Sequence, residues 1–199
     1  MSWATRRWDL TTPADESSKR LPVIFTVGHG TRRIEELLAI LGGAGIRRLI
    51  DVRTAPGSRR HPQFGHDALA ASLEARVIEY VWRKDLGGFR KPRPDSPHTA
   101  LRNDAFRGYA DHMDAEEFRS TLAWLIDTSR DTPTAIMCAE SLWWRCHRRM
   151  ISDALTVAGC EVVHLLDAGR REAHGLNPSA TVEGSRLIYD AGAQQALAP

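Results

Sequence analysis

Five short, mainly apolar runs, separated by helical patterns or breaks, constrain the fold of this chain more than any other feature. They cover residues 22–27, 48–53, 77–82, 134–138 and 161–166. Runs of this kind are typical of strands buried in a parallel sheet, whose crossovers need helices between the strands. The alternation therefore predicts a single α/β domain with a mainly parallel five-stranded sheet, helices on both faces and right-handed crossovers.

The pattern between the runs predicts the remaining elements. Thr31 can cap the first helix, which presents Ile34, Leu37, Leu38 and Leu41 on one face. Further helices are predicted over 67–75, 104–113, 115–129 and 146–158, and a short C-terminal hairpin over 180–189. The segment from Arg83 to Asn103 holds two glycines and three prolines, too many breakers for regular structure.

The domain is predicted to span residues 22–190. Residues 1–21 are polar and lack a period, which predicts a flexible N-terminal arm, and residues 191–199 are predicted to form a flexible tail. No apolar stretch approaches the roughly 20 residues needed to cross a bilayer. Three cysteines, an odd number, do not make a disulfide framework, which favours a reducing cytoplasm.

The kinds of charged residue in the chain say more about its ligands than the net charge does. The net charge is +2, and a dedicated DNA-binding domain would usually be more basic. Of the 27 basic residues only Lys19, Lys84 and Lys91 are lysines. Arginine presents a planar fork of donors suited to phosphate or carboxylate, although the codon usage of a GC-rich genome explains the same bias.

The densest chemistry lies in one segment after the fourth run, residues 137–149, with the sequence MCAESLWWRCHRR. In parallel sheets, sites form outside the carboxyl ends of the strands. We therefore expect this segment to share one edge with the turn Gly28-His29-Gly30, the strand end at Asp51 and Arg53, and the loop 83–103. This convergence predicts a functional site at the edge.

Cys138 ends a buried strand and opens the loop that leads into a helix. Backbone N–H groups and the positive end of the helix would favour its thiolate there, and Arg145 could bind an oxyanion beside the sulphur. The arrangement is similar to the cysteine–loop–arginine cradle of tyrosine phosphatases, which has one residue fewer, and to the sulphur-carrying loop of rhodaneses. The alternative is a buried core cysteine. Four candidate catalytic residues follow: Cys138, Glu140, Cys146 and His147.

No metal site and no cofactor are predicted from this segment. Cys146 and His147 are expected to open a helix, where adjacent side chains point about 100° apart and cannot easily meet one ion. Their spacing from Cys138 also departs from that of structural zinc sites. A disulfide between Cys138 and Cys146 is compatible with a folded-back loop. Glu140 could act as a general acid or base, or pair with Arg145 or Arg148.

Basic side chains near the same edge predict an anionic ligand. The candidate anion-binding residues are His29, Asp51, Arg53, Arg60, Arg145, Arg148 and His174. His174 follows the fifth strand in a loop and could reach the site, whereas His164 lies within that strand and is predicted to be structural. Trp143 and Trp144 could stack on a planar ligand such as a nucleobase, or plug the loop onto the core.

Seven segments together resemble the bacterial domain of unknown function 488 family, over about residues 22–190. They are TVGHGTR, LIDVR, SRRHPQF, LGGFRKPR, FRGYADHM, MCAESLWWRCHRR and HGLNP. The resemblance implies an α/β fold and no particular activity, because the family is named for lacking one. The family pattern marks Gly28, His29, Asp51, Arg53, Arg60, Pro62, Phe64, Leu86, Gly87, Gly88, Tyr109, Cys138, Glu140, Cys146, His147, Arg148 and His174.

Three functions stay open from the sequence. The first is a cysteine-dependent enzyme whose Cys138 thiolate attacks or carries a group of a small anionic substrate that contains phosphate or sulphur. The second is a nucleotide or nucleic-acid binding module that uses arginines and Trp143 or Trp144. The third is a thiol redox sensor with a reversible Cys138–Cys146 bond. The oligomeric state is not determined by the sequence, and no membrane partner is expected.

Overall fold

A computed structural model of the chain describes residues 22–57 and 59–190, so the predicted arm 1–21 and tail 191–199 lie outside the described residues. Eight strands and five α-helices follow one another along the chain. They are β1 (Val23–Gly28), α1 (Ile34–Gly43), β2 (Arg48–Asp51), α2 (His66–Glu74), β3 (Glu79–Trp82), α3 (Asp104–Met113), α4 (Glu116–Thr128), β4 (Thr134–Cys138), α5 (Arg148–Val157), β5 (Glu161–Asp167), β6 (Arg170–Ala173), β7 (Ala180–Glu183) and β8 (Arg186–Tyr189).

The predicted α/β sheet is present and has one strand more than expected. Its order is β3-β2-β4-β1-β5-β6, and the first five of these strands are parallel. The additional strand β6 runs antiparallel to β5. All four of its residues are exposed and three of them are charged, so the apolar pattern that reveals the buried strands is missing there. The predicted C-terminal hairpin forms from β7 and β8.

The helices cover both faces of the sheet. Helices α1 and α2 bury Leu37, Leu41, Leu69 and Leu73 against one face. Helices α3, α4 and α5 cover the opposite face, where their buried side chains include Tyr109, Phe118, Leu125, Met150 and Ile151. Among the described residues, no helix has the length and apolar composition needed to cross a membrane.

The connectivity opens a crevice at the centre of the sheet. Strand β4 lies between β1 and β2, both of which lead into helices on the α1–α2 face. The chain leaves β4 in the other direction, toward α5 on the opposite face. Loops that part to opposite faces at neighbouring strand ends form the switch point at which ligands bind in open α/β sheets.

Two helices begin later than the sequence pattern indicated. Helix α1 begins at Ile34 and not beside Thr31, and the Glu36 carboxylate accepts a hydrogen bond from the Arg33 backbone N–H at 2.7 Å. Helix α5 begins at Arg148, whereas the pattern placed its start at Cys146. Cys146 has extended backbone angles of φ −124° and ψ 152°, which changes the direction of its side chain relative to His147.

Gly28 lets the loop after β4 cross the end of β1. The backbone N–H groups of His29 and Gly30 donate to the carbonyls of Cys138 and Ala139 at 3.0 and 2.9 Å. A Cβ atom at position 28 would lie 1.9 Å from the carbonyl oxygen of Glu140 and 2.7 Å from the guanidinium of Arg148. The close approach of the two loops therefore depends on a residue without a side chain.

Gly28→Ala is expected to lower the free energy of unfolding by about 1–3 kcal/mol or more, because backbone and a buried guanidinium must shift to admit the methyl group. Urea unfolding measures the change. Gly42→Ala is the matched control: this helical position in α1 has no atom within 4 Å of an added Cβ, so alanine should stabilise by about 0.5–1 kcal/mol. Equal destabilisation by both substitutions would contradict the crossing described above.

Candidate functional site

A cavity of about 990 Å³ opens at the carboxyl ends of β1, β2 and β4. Its walls come from all the segments that the sequence placed at this edge. They include His29 after β1, Arg53 and Thr54 after β2, Gly88, Phe89 and Asn103 from the loop before α3, and Cys138, Glu140, Trp144, Arg145, Cys146 and His147 around the loop before α5. The switch point of the sheet and the chemically rich segment therefore coincide.

Two cysteine sulphurs and an imidazole meet on the cavity wall. Cys138 is the last residue of β4, and Cys146 follows a 3₁₀ turn over Trp143–Arg145 that brings the chain back toward the strand. The His147 Nδ1 atom lies 3.9 Å from the Cys138 sulphur and 3.6 Å from the Cys146 sulphur. All three atoms lie within 4.8 Å of one another, and the two cysteines are 8% and 4% exposed. We call these three residues the sulphur–imidazole cluster.

The tautomer of His147 is fixed by the neighbouring strand. Its Nε2 atom lies 3.2 Å from the carbonyl oxygen of Val52, which can only accept, so Nε2 carries the proton and Nδ1 presents a lone pair to the sulphurs. Gly88 allows this ring position, because a Cβ there would lie 3.0 Å from Nδ1. The ring of Tyr109 packs 5.1 Å away, and its hydroxyl donates to the Leu86 carbonyl at 2.8 Å.

The cluster favours one thiolate and one thiol. A hydrogen bond from Cys138 holds the pKa of Cys146 well below its ordinary value. A proton on His147 Nδ1 and the charge of Arg148 act in the same direction, against burial. The pKa of Cys138 is raised well above its ordinary value by the same hydrogen bond and by burial. Within the pair Cys146, and not Cys138 as the sequence indicated, is the sulphur that this geometry makes easier to ionise. Thiolates are both nucleophiles and metal ligands.

The sulphur–imidazole cluster also supplies three metal-ligand atoms. The sequence pattern placed both Cys146 and His147 in a helix and therefore predicted no metal site. Because Cys146 is extended and only His147 adjoins the first turn of α5, both side chains face the same point as Cys138. The placement of these two residues in the helix was wrong.

Arg53 is an anchored arginine. Its Nε donates to Asp51 Oδ1 and Oδ2 at 2.9 and 3.0 Å, and the Tyr80 hydroxyl donates to Oδ2 of the same carboxylate at 2.7 Å. The Arg53 side chain lines the cavity, whereas Asp51 is fully buried behind it. Asp51 was predicted to bind an anion, but it supports Arg53 instead. Its buried carboxylate holds the arginine in place and would repel an anion.

His29 lies beside Arg53 as a neutral ring. Its Nδ1–H donates to the Gly30 carbonyl at 2.9 Å, which leaves Nε2 to accept from Arg53 Nη1 at 3.3 Å. Burial lowers its pKa to about 4, and the charge of Arg53 adds to this effect. The ring stacks on Phe64 at 4.2 Å between centroids.

Unlike Arg53, Arg145 has no partner among the described residues. It is exposed on the cavity wall, and no described residue forms a hydrogen bond or ion pair with its guanidinium. Glu140 lines the same cavity, but its carboxylate accepts from the Leu142 backbone N–H at 3.2 Å and pairs with neither Arg145 nor Arg148. Arg145 is therefore available to a ligand.

Besides Asp51, three of the predicted anion-binding residues lie outside the cavity lining. Arg60 is exposed elsewhere on the surface. Arg148 is 1% exposed and lies beneath the site, where it donates to Thr26 Oγ1 at 3.1 Å and to the carbonyl of Glu140. His174 follows the antiparallel β6, so the chain carries it away from the carboxyl edge, and its backbone N–H bonds to Val162 near the start of β5.

His174 instead joins a buried polar chain that the sequence did not indicate. Asp153 Oδ1 lies 2.9 Å from His174 Nε2, and His174 Nδ1 lies 3.0 Å from His164 Nε2. The Tyr189 hydroxyl donates to the other Asp153 oxygen, and Thr26 Oγ1 lies 2.7 Å from His164 Nδ1. Single polar residues within apolar strands, Thr26 and His164, were the available signal for this chain of contacts.

The two tryptophans separate into different roles. Trp143 stacks on His164 at 4.1 Å with an interplanar angle of 8°, so it covers the buried polar chain. Trp144 is 44% exposed and lines the cavity. The aromatic residues Phe89 and Phe106 also line the cavity, and sequence reasoning did not select them. Phe89 is 93% exposed and has a φ of 61°, a conformation uncommon for a bulky residue.

One known family matches most of the described domain. The family described as Domain of unknown function DUF488 matches residues 33–155, which include Arg53, Gly88, Tyr109 and the whole sulphur–imidazole cluster. The chain belongs to this family. No curated protein and no solved structure matches the chain.

The buried His164 gives the fold a defined pH dependence. Burial lowers its pKa to about 3, and the neighbouring His174 and Arg148 add to the effect. The unfolded chain then binds the extra proton below pH 6.5, so stability falls as the pH decreases. The expected contribution is a loss of about 2 kcal/mol between pH 7 and pH 5.

Urea unfolding at pH 7 and pH 5, for the wild type and for His164→Gln, checks this expectation. The substitution should reduce the decline in the free energy of unfolding between pH 7 and pH 5 by about 2 kcal/mol, whatever its effect on stability at pH 7. His66→Gln, at a partly exposed position, is the control and should leave the decline in place. An unchanged decline in the His164 variant would mean that the ring is protonated in the folded protein.

Proposed function

We propose that the chain is a cysteine-dependent enzyme that acts on a small anionic substrate, containing phosphate or sulphur, at the carboxyl edge of the sheet. The supporting observation is the position of the sulphur–imidazole cluster on the wall of a cavity of about 990 Å³ that also contains the unpaired Arg145. Reactive sulphur and a free cation in one cavity suit an anion that carries an electrophilic atom.

The cavity offers distinct groups for binding and for reaction. Arg145 can form charge-assisted hydrogen bonds with the substrate anion, and the Arg53 side chain adds positive charge while Asp51 keeps it in place. Cys146 supplies the sulphur, and His147 Nδ1 can accept the thiol proton at 3.6 Å. In transfer from thiosulphate, for example, the thiolate would bond to the outer sulphur and sulphite would leave with the electron pair of the broken bond.

The observed positions of the tryptophans weigh against the nucleic-acid alternative. Trp143 lies against His164 in a parallel stack, so of the two tryptophans Trp144 alone offers its ring to a ligand in the cavity. The paired stacking surface on which that alternative depends is thus reduced to one residue. The hypothesis of a small anionic ligand is the one that the cavity supports best.

Turnover and binding assays with small anions test the proposal. Probes are thiosulphate with cyanide as acceptor, and para-nitrophenyl phosphate. We expect Cys146→Ala to reduce turnover on the order of 100-fold or more, and Arg145→Ala to weaken thiosulphate or phosphate binding roughly 10-fold, by loss of a charged hydrogen bond. Steady-state kinetics and calorimetry measure the two effects.

Two substitutions away from the cavity provide matched controls. Cys160→Ala removes a buried cysteine just before β5, and Arg119→Ala removes an exposed arginine of α4; neither residue lines the cavity. Both should behave as the wild type. The proposal is wrong if neither anion binds in an Arg145-dependent manner and no probe is turned over in a Cys146-dependent manner.

A redox role is a second candidate, favoured by the proximity of the two buried sulphurs. Peroxide would oxidise the thiol pair to a disulphide and be reduced to water, with the loss of two hydrogen atoms from the protein. Mild peroxide treatment followed by intact mass and peptide mapping should show a Cys138–Cys146 bond that dithiothreitol reverses. Oxidation to sulphinic acid without a disulphide, in protein that still unfolds cooperatively, would exclude this role.

A further inference from the structure

We infer that the sulphur–imidazole cluster binds a thiophilic divalent cation of the zinc class, with two cysteine sulphurs and the His147 Nδ1 as ligands and a fourth position open to the cavity. The binding of the ion is independent of the proposed function. Its role there, as the electrophile that meets the substrate anion, rests on that function.

The two sulphur-to-nitrogen separations match those around a tetrahedral zinc ion. With Zn–S of about 2.3 Å and Zn–N of about 2.0–2.1 Å, tetrahedral angles separate sulphur from nitrogen by about 3.6 Å and two sulphurs by about 3.8 Å. The observed sulphur-to-nitrogen distances are 3.6 and 3.9 Å, and all three atoms fall within 4.8 Å of one another. Little movement is needed to place an ion between them.

The surroundings of His147 are those of a metal ligand. A ligating imidazole commonly donates its other N–H to a carbonyl or carboxylate, which fixes the tautomer and the ring orientation. His147 Nε2 has the Val52 carbonyl at 3.2 Å, so the lone pair of Nδ1 is directed toward the two sulphurs without any rearrangement. Val52 and Gly88 hold the ring from two different segments, after β2 and before α3.

The number of ligands leaves room for a reactant. Among the described residues the cluster consists of two cysteines and one histidine, a ligand set found in catalytic zinc sites that keep an open position. All three residues line the large cavity, together with Arg145. An anion in the fourth position would therefore share the cavity with the Arg145 guanidinium.

Binding of the ion changes the protonation of the cluster. Each cysteine binds as a thiolate, so the protons carried by the thiols are released to solvent, and two thiolates balance the charge of one divalent cation. The sulphurs would then act as ligands, and the cysteine dependence of the reaction would arise from the ion that they hold. The cluster needs no other partner for this step.

Metal analysis of the full-length protein tests the inference without a substrate. Protein purified from zinc-supplemented cells should contain about one zinc ion per chain, and after chelation it should take up Co²⁺ with a thiolate-to-cobalt charge-transfer band and the intense visible bands of a tetrahedral ion. Cys160→Ala should behave the same way. Cys146→Ala should lose the charge-transfer band or reduce it by at least about half, since one of two sulphur ligands is gone.

The remaining outcomes separate the site from the reaction. If chelated wild-type protein, checked for folding by circular dichroism, takes up neither Zn²⁺ nor Co²⁺, the inference is overturned. It is also overturned if Cys160→Ala and Cys146→Ala lose metal equally. Thiosulphate should shift the visible cobalt bands, and unshifted bands at saturating thiosulphate would refute the open position. Metal binding without Arg145-dependent anion binding and without Cys146-dependent turnover would support the metal site and contradict the proposed function.

Discussion

The buried guanidinium of Arg148 holds the candidate site to the fold. It donates to Thr26 on β1 and to the Glu140 carbonyl in the loop after β4, and it belongs to the first turn of α5, so one side chain joins three elements. Among the described residues no carboxylate pairs with it, although it is 1% exposed. A buried charge without a partner is costly, and the nearby cysteine pair is the group that can carry a compensating negative charge.

This arrangement ties the electrostatics of the cluster to the architecture around it. The same cation that fixes the path of residues 138–140 also favours the thiolate at Cys146. A second arginine is held in place at the end of β2. There the buried carboxylate of Asp51 orients Arg53 against His29. Arg145 stands apart because it is exposed and unpaired. The site thus combines two arginines that the fold holds in place, Arg53 on the cavity wall and Arg148 beneath it, with Arg145, which has no partner among the described residues.

The sequence predicted the buried parts of the molecule better than its turns. The strands β1, β2, β4 and β5 could be found because most of their residues are apolar and most are buried, and the partly exposed edge strand β3 is still mainly apolar. Strand β6 is exposed and polar and gave no signal. The carboxyl-edge rule placed His29, Arg53 and Cys138 together, but it failed for His174, which follows an antiparallel strand. Such a reversal of direction depends on strand pairing and cannot be inferred from local pattern.

The same limit applies to the chemistry of the site. The sequence identified Cys138, Cys146 and His147 as candidates, yet their geometry depends on the extended backbone of Cys146 and the 3₁₀ turn before it. Helical periodicity continues through these positions, so pattern alone assigned them to the helix. The roles of the Val52 carbonyl and of Gly88 depend on contacts between distant segments, which no local rule contains.

The order of strands in the sheet also has a consequence for how the chain folds. Strand β1 pairs with β4 and β5 and has no contact with β2 along the sheet; its partner for Ile24 is Thr134, 110 positions later. Contacts this distant in sequence slow folding, because a long loop must close before they form. During synthesis the apolar first strand must wait unpaired until most of the domain has been made, which makes the nascent chain susceptible to aggregation.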